Sequence, residues 1–255
     1  MLLSGAPGRL SNESEEFQGE AQVTGRDIRI KSGSGGEFDC YIAAPAGAAK
    51  VPAVVLASAI HGVDPDIRAI ADEFAAKGFL AAAPDLFWRT ETPGPLVRDD
   101  PRAAPRGKPR LERIRAGEAD LVDTLAEVRR HPLHNGRAAT MGFCYGGPFA
   151  VLGPARLGYD AGIGCHSTQM KDYLDVAEGV AKPMCIIWGD QDTMAPPEVL
   201  DAYRALAARN KSLDLHIFPG ILHGYMMPGN AAAYDAKTRD FSMAKALAIL
   251  EGLRT

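Results

Sequence analysis

A chain of 255 residues, 46% hydrophobic and 24% charged, has the make-up of a globular protein able to bury a full core. A net charge of −4 and a pI near 5.9 argue against nucleic acid or a membrane surface as the main partner, and no apolar stretch approaches the roughly 18 residues needed to cross a bilayer. The four cysteines, at 40, 144, 165 and 185, form no C-x-x-C pair, so zinc and dithiol chemistry have little support and a reducing, cytoplasmic setting is the simplest expectation.

In chain order, residues 1–20 are polar and turn-rich and read as a flexible tail, without the basic and apolar regions of a secretory leader. "DIRIKSGSGGEFDCYIAAP" reads as two strands joined by a Gly/Ser turn. "AVVLASAI" is a continuous apolar run, as in a strand buried on both faces. "DIRAIADEFAAKG" has helical spacing, with Asp66 as the N-cap and Gly78 at its end. "FLAAAPDLF" is another buried strand. Residues 88–115 are rich in Pro and Arg and too long for an ordinary connection, so they read as either a lid or a mobile loop. "GEADLVDTLAEVRRH" is an amphipathic helix, "AATMGF" a strand, and a helix follows Cys144. "DAGIGCH" and "KPMCIIWGD" read as strands, "PEVLDAYRALAARN" as a helix, "LDLHIFPG" as a strand and "NAAAYDAKTRDFSMAKALAILEGL" as the last helix. Repeated β-α-β units predict an α/β fold over residues 21–255, a mostly parallel, doubly wound sheet with helices on both faces.

In such a sheet, reactive groups collect at the carboxyl ends of the strands. Gly142-x-Cys144-x-Gly146 is a strand-turn-helix junction of the G-x-S-x-G kind with cysteine in place of serine. A turn that tight leaves no room for side chains at the flanking positions, and the helix N-terminus beneath it favours a thiolate. A nucleophile needs a base and a group to orient the base. Asp190 and Asp192 both follow the strand "MCIIW"; Asp192, deeper in the turn, is the expected orienter, and Asp190 a loop-capping residue. His223, between the last strand and the last helix, is the expected base. The order nucleophile, acid, histidine is that of the α/β-hydrolases. Two backbone amides would bind the oxyanion: that of Tyr145, and that of Ile60 in the loop after "AVVLAS". His61 and His166 at strand ends, Trp88 and Arg89 after "AAAPDLF", and Tyr225 and Met227 after His223 are the candidate pocket residues.

The motifs "GFCYGG", "KGFLAAAPDLFWR", "GDQDTMAP", "FPGILHGY" and "HPLHNGR" make the sequence from about residue 37 to 250 resemble the dienelactone hydrolases (carboxymethylenebutenolidases), α/β-hydrolases with a Cys-Asp-His triad. The resemblance implies hydrolysis of an enol-lactone with neither metal nor organic cofactor. Two departures bear on the substrate. Ala59, in "LASAIHG", stands where the founding enzymes place a glutamate that pairs with the cysteine. Met227, in "HGYMMPG", stands where they place an arginine that binds the substrate carboxylate. Residues 88–115 hold seven arginines and one lysine against four carboxylates, so this segment is a candidate anion-attracting mouth.

The expected reaction is attack of the Cys144 thiolate on a lactone or activated ester, through a thioester. Two alternatives remain: a general carboxylesterase or thioesterase with a neutral acyl pocket, and a catalytically silent hydrolase-fold binding protein. The expected partner is a small-molecule lactone or ester, with anionic character left open, and the expected assembly is a monomer or small homo-oligomer.

Overall fold

The computed structural model describes residues 24–47 and 49–254; the tail read over residues 1–20 lies outside them. Eight strands form one sheet: β1 (Thr24–Lys31), β2 (Glu37–Ala44), β3 (Val51–Ala57), β4 (Leu80–Pro84), β5 (His134–Phe143), β6 (Ala161–Cys165), β7 (Met184–Gly189) and β8 (Leu213–Phe218). Their order is β1-β2-β4-β3-β5-β6-β7-β8. The β1/β2 and β2/β4 pairs are antiparallel and all the others parallel. The helices are α1 (Pro65–Ala76), α2 (Ala103–Arg106), α3 (Arg110–Val128), α4 (Phe149–Arg156), α5 (Leu174–Glu178), α6 (Pro197–Arg209) and α7 (Ala236–Gly252). Among the described residues, no helix is long and apolar enough to cross a membrane.

Sequence pattern explains this layering. Every residue of β3, β4, β6 and β7 is buried, as their unbroken apolar runs require of strands covered on both faces. In β2 the first half alternates exposed and buried, which suits a strand near the edge. On one face α1 and α7 pack through Ile67, Ile70, Phe74, Ala246 and Leu250. Across the sheet, α3 buries Ile114, Leu121 and Leu125. Each large side chain so buried contributes about 1.5–3 kcal/mol.

Sheet order reverses between β3 and β5. The chain leaves β3 to one side for β4, then returns to the other side as β5. Loops that leave adjacent strands in opposite directions open a crevice at their carboxyl ends. The loops after β3 and β5, which carry Ile60 and Cys144, flank that crevice.

Several boundaries differ from the sequence reading. The cap of α1 is Asp64, whose Oδ1 accepts the Ile67 amide at 3.0 Å, and not Asp66. Asp66 sits in the first turn and accepts the Gly229 amide instead. The 88–115 stretch is not one long irregular loop, because α2 forms within it and α3 starts at Arg110. Its helix-forming charged residues lack the apolar spacing that marked the rest of α3. The segment is tied down by Leu96 N–H to the His61 carbonyl (2.8 Å) and Gly94 N–H to Asp85 Oδ2 (2.8 Å). The last helix begins at Ala236 with Asp235 as its cap, six residues later than its apolar run implied.

Loss of the α1 cap has a calculable cost. Asp64→Ala is expected to lower unfolding free energy by about 1 kcal/mol, read from urea denaturation. An unchanged midpoint would show that Ile67 finds another acceptor.

Candidate active site

At the end of β5 the backbone makes a turn that only its sequence allows. Cys144 has φ +50°, in the left-handed region that a side-chain-bearing residue enters at a cost of about 1–3 kcal/mol. A Cβ on Gly142 would strike the Gly146 carbonyl, and one on Gly146 would strike the carbonyls of Ala57 and Ser58. The glycines therefore let the turn close on itself and press against the end of β3. Thr168 holds the strained residue: its amide (3.0 Å) and its hydroxyl (3.1 Å) both donate to the Cys144 carbonyl.

Asp192 and His223 reach the same place from β7 and β8. His223 Nδ1 lies 2.9 Å from both carboxylate oxygens of Asp192, which is buried and also accepts the Met194 amide at 2.9 Å. Burial opposes a charge on His223. The Asp192 carboxylate and then Cys144 outweigh it, and the imidazole is pushed up to about 10. Asp190 is exposed, and its Oδ1 accepts the Gly220 amide at 2.8 Å, so it braces the loop between β8 and His223. His166, also at a left-handed φ of +41°, packs edge-on against His223 with ring centroids 5.0 Å apart. Burial, with His223 beside it, holds His166 well below the usual imidazole range, so it stays neutral.

A cavity of about 280 Å³ opens over these groups, at the small end for a ligand site. Cys144, His223, His166, His61, Ile60 and Met227 all line it. Among the described residues, neither the Ile60 nor the Tyr145 amide donates to another backbone carbonyl. His61 Nε2 donates to the Arg98 carbonyl at 2.9 Å, and burial holds its ring below the usual range.

Three candidate pocket residues lie elsewhere. Trp88 stacks on Phe38 and donates from Nε1 to Asp120 (3.2 Å). Arg89 forks onto Asp120 (2.7 and 2.8 Å) and reaches Ser32 and Ser34. A fully buried carboxylate on α3 needs those donors, and it draws both side chains away from the cavity. Tyr225 is buried behind His166, with its hydroxyl 2.9 Å from Ser242 Oγ. Residues that the sequence reading missed do line the cavity: Arg98, Met194, Gly224 and Asn230. The basic character of 88–115 was the only signal for Arg98, and it did not single out one arginine from seven. Met194 and Asn230 gave no signal.

A second Cys-Asp-His set, Cys185, Asp214 and His216, has its ligand atoms within 4.8 Å of one another. Cys185 and Asp214 are paired at the amino-terminal ends of β7 and β8, opposite the crevice. Burial raises the Cys185 thiol far above its ordinary value, and the Lys245 ammonium already occupies Asp214 at 2.9 Å. A metal ion here would have to displace that ammonium and deprotonate that thiol. The nearby cleft is lined by Asp214 and Lys245 but by neither Cys185 nor His216.

Comparison with known proteins gives the family and the fold. The dienelactone hydrolase family model matches residues 38–252. Carboxymethylenebutenolidase 1 of Cupriavidus pinatubonensis is 30% identical over 197 residues, 75% of this chain and 82% of that protein. The carboxymethylenebutenolidase of Pseudomonas sp. strain P51 is 28% identical over 194 residues, 74% of this chain and 80% of that protein. A solved dienelactone hydrolase-like promiscuous phosphotriesterase from metagenomic libraries superposes with a TM-score of 0.75 at 17% identity, over 91% of this chain and 98% of its own; it speaks to the fold alone. The chain thus belongs to the dienelactone hydrolase family, with the α/β-hydrolase fold, and is a carboxylic ester hydrolase acting on lactones or esters.

Proposed function

We propose that the protein hydrolyses a small lactone or activated ester through Cys144, His223 and Asp192, without a cofactor. One observation carries the reading: a buried carboxylate holds His223 at 2.9 Å, and that imidazole shares one small cavity with a cysteine in a strained, glycine-flanked turn.

His223, held by Asp192, takes the Cys144 thiol proton. The thiolate sulfur attacks the carbonyl carbon, and the Ile60 and Tyr145 amides receive the oxyanion. As the tetrahedral adduct collapses, the C–O bond breaks and His223 gives its proton to the leaving oxygen. Neutral His223 then takes a proton from water, whose oxygen attacks the thioester. The thiolate leaves, and the imidazolium is restored. A thiolate departs more readily than an amine, so an amide adduct reverts, whereas an activated ester or enol-lactone goes forward.

Arg98 supports an anionic substrate. It is the one guanidinium lining the cavity among the described residues, and it stands where Met227 leaves no charge. Its Nη2 lies 3.1 Å from Asp66 and 4.0 Å from Asp64. The remaining nitrogens have no hydrogen-bond acceptor among the described residues and are available to a carboxylate. The otherwise apolar walls, with Ile60, Met194 and Met227, favour the second reading, a neutral-ester hydrolase. The two readings part on Arg98→Met. For an anionic substrate, KM is expected to rise about tenfold on a carboxylate-bearing ester, about 1.4 kcal/mol, with p-nitrophenyl acetate within about twofold. Equal effects on both substrates would favour the neutral reading.

Removing the nucleophile tests the chemistry itself. Cys144→Ala is expected to lower ester and lactone hydrolysis by at least about a thousandfold. Asp192→Asn is expected to be far more damaging to kcat/KM than Asp190→Asn, because it alone reverses the hydrogen bond that sets the His223 tautomer. A tenth of wild-type activity in Cys144→Ala, or the opposite ranking of the two aspartates, would sink the assignment.

Ala59 lines the cavity beside Cys144, so no carboxylate opposes a thiolate there. Ala59→Glu is expected to slow alkylation of Cys144 by iodoacetamide several-fold at neutral pH, because a nearby negative charge disfavours a thiolate. No slowing would show that residue 59 does not act on the sulfur.

A further inference from the structure

Two arginines at the α2–α3 junction have no carboxylate partner. Among the described residues, no Asp or Glu oxygen lies within 4.0 Å of Arg106 or Arg110. Arg106 is buried and Arg110 half-buried, and burying a guanidinium without a counter-charge is expensive. Backbone carbonyls take part of each guanidinium, while Arg106 Nη2 and Arg110 Nε are buried with no hydrogen-bond partner among the described residues. Arg106 Nε donates to the Ile60 carbonyl at 2.5 Å, and its Nη1 to the Gly94 (2.7 Å) and Thr92 (3.1 Å) carbonyls. Arg110 Nη2 donates to the carbonyls of Tyr145 (3.1 Å) and Thr168 (3.2 Å).

In the reading proposed above, Ile60 and Tyr145 supply the amides that receive the oxyanion. Each has its own carbonyl held by one of these arginines. The aromatic contacts repeat the pattern: Arg110 Cζ lies 4.6 Å over the Tyr145 ring and Arg106 Cζ 4.2 Å over Phe87, whose ring packs on Tyr145. Between them runs Gly107, where a Cβ would come 3.3 Å from the Tyr145 ring and 3.6 Å from Ile60 Cγ2. The segment 106–110 thus lies across both halves of the oxyanion site.

We propose that Arg106 and Arg110 are positioning residues that hold the oxyanion hole in register, one through Ile60 and the other through Tyr145. This rests on the Cys144 reading above. Fixing a residue's carbonyl fixes its ψ, and with it how far the residue can rock about its Cα. Oxyanion donors stabilise a transition state only when preorganised to about hydrogen-bond distance of where the charge develops. Arg106 uses two nitrogens, Nε and Nη1, on separate carbonyls, which an ammonium point charge does less well. Arg110 bridges the Tyr145 carbonyl to that of Thr168, the residue that also braces Cys144, so nucleophile and oxyanion donor share one anchor.

The test compares two reactions of the same sulfur. Ester hydrolysis develops an oxyanion, whereas alkylation by iodoacetamide does not. In Arg106→Met and Arg110→Met, kcat on p-nitrophenyl acetate is expected to fall about ten- to a hundredfold with KM within about threefold, the mark of an interaction made only in the transition state. Alkylation of Cys144 is expected to stay within about twofold. Arg106→Lys, which keeps the charge and fold but gives up the fork, is expected to lose kcat about three- to tenfold; it decides the matter if Arg106→Met does not fold. Wild-type kcat in the folded variants, or alkylation falling in step with kcat, would overturn the proposal. If Cys144→Ala stays active, the hydrolytic reading fails and the clamp with it. If Cys144→Ala is inactive while the arginine variants turn over normally, only the clamp fails.

Discussion

The contact on which the site depends is between backbones. Gly146 lies so close to the carbonyls of Ala57 and Ser58 that a methyl group cannot be placed between them. β3 and β5 are parallel neighbours, with Ala57 opposite Gly142. The cysteine turn is therefore pressed onto the end of the strand whose next residues form the other wall of the cavity. Side chains at 142 or 146 would separate the two and open the distance between Cys144 and the Ile60 amide. Register, glycine placement and the shape of the cavity are one constraint seen at three levels.

Electrostatics build on that frame by exclusion of water. Asp192 is buried, yet it is paired with His223 and accepts a backbone amide, which meets the cost of its charge. His166 takes the place where another charged group would compete; neutral and packed edge-on, it fills space against His223 without adding a field of its own. Arg98 lines the cavity, and the two junction arginines turn to the Ile60 and Tyr145 carbonyls. Arg89, Arg102, Arg106 and Arg110 each have a defined structural acceptor, and Arg98 is the one that meets the cavity.

How legible this was depended on the kind of signal. Buried parallel strands are continuous apolar runs, so β3, β4, β6 and β7 could be read to within three residues at either end. The G-x-C-x-G junction and the loops after β7 and β8 also announce themselves, because the chain must turn sharply at strand ends, and those turns bring Cys144, Asp192 and His223 to one end of the sheet. What sequence did not disclose was pairing across long separations. Asp120 sits on α3 with a helical, apolar neighbourhood, and nothing local says that it will draw Trp88 and Arg89 away from the cavity. Tyr225 follows the histidine by two residues, but the turn at Gly224, with φ +89°, carries it behind His166. The sequence reading places the α1 cap at Asp66, but Pro65 takes the first helical position and makes Asp64 the cap.

Backbone strain gives the last link between fold and chemistry. Among the described residues, three non-glycines have positive φ: Cys144, His166 and Gln169. All three lie just beyond the carboxyl ends of β5 and β6, and at about 1–3 kcal/mol each they are a real charge on a fold that is stable by only about 5–15 kcal/mol. The strain is held by bonds that bypass the strained residues' own side chains. Thr168 supplies two donors to the Cys144 carbonyl, and the His166 amide donates to the Ile187 carbonyl of β7 at 2.9 Å. Relaxing the turn at Cys144 would break the Thr168 contacts, and relaxing His166 would free its ring from His223. Cys144 is thus held by the segment that follows His166, and His166 by β7, so the strain is carried by central parallel strands buried on both faces.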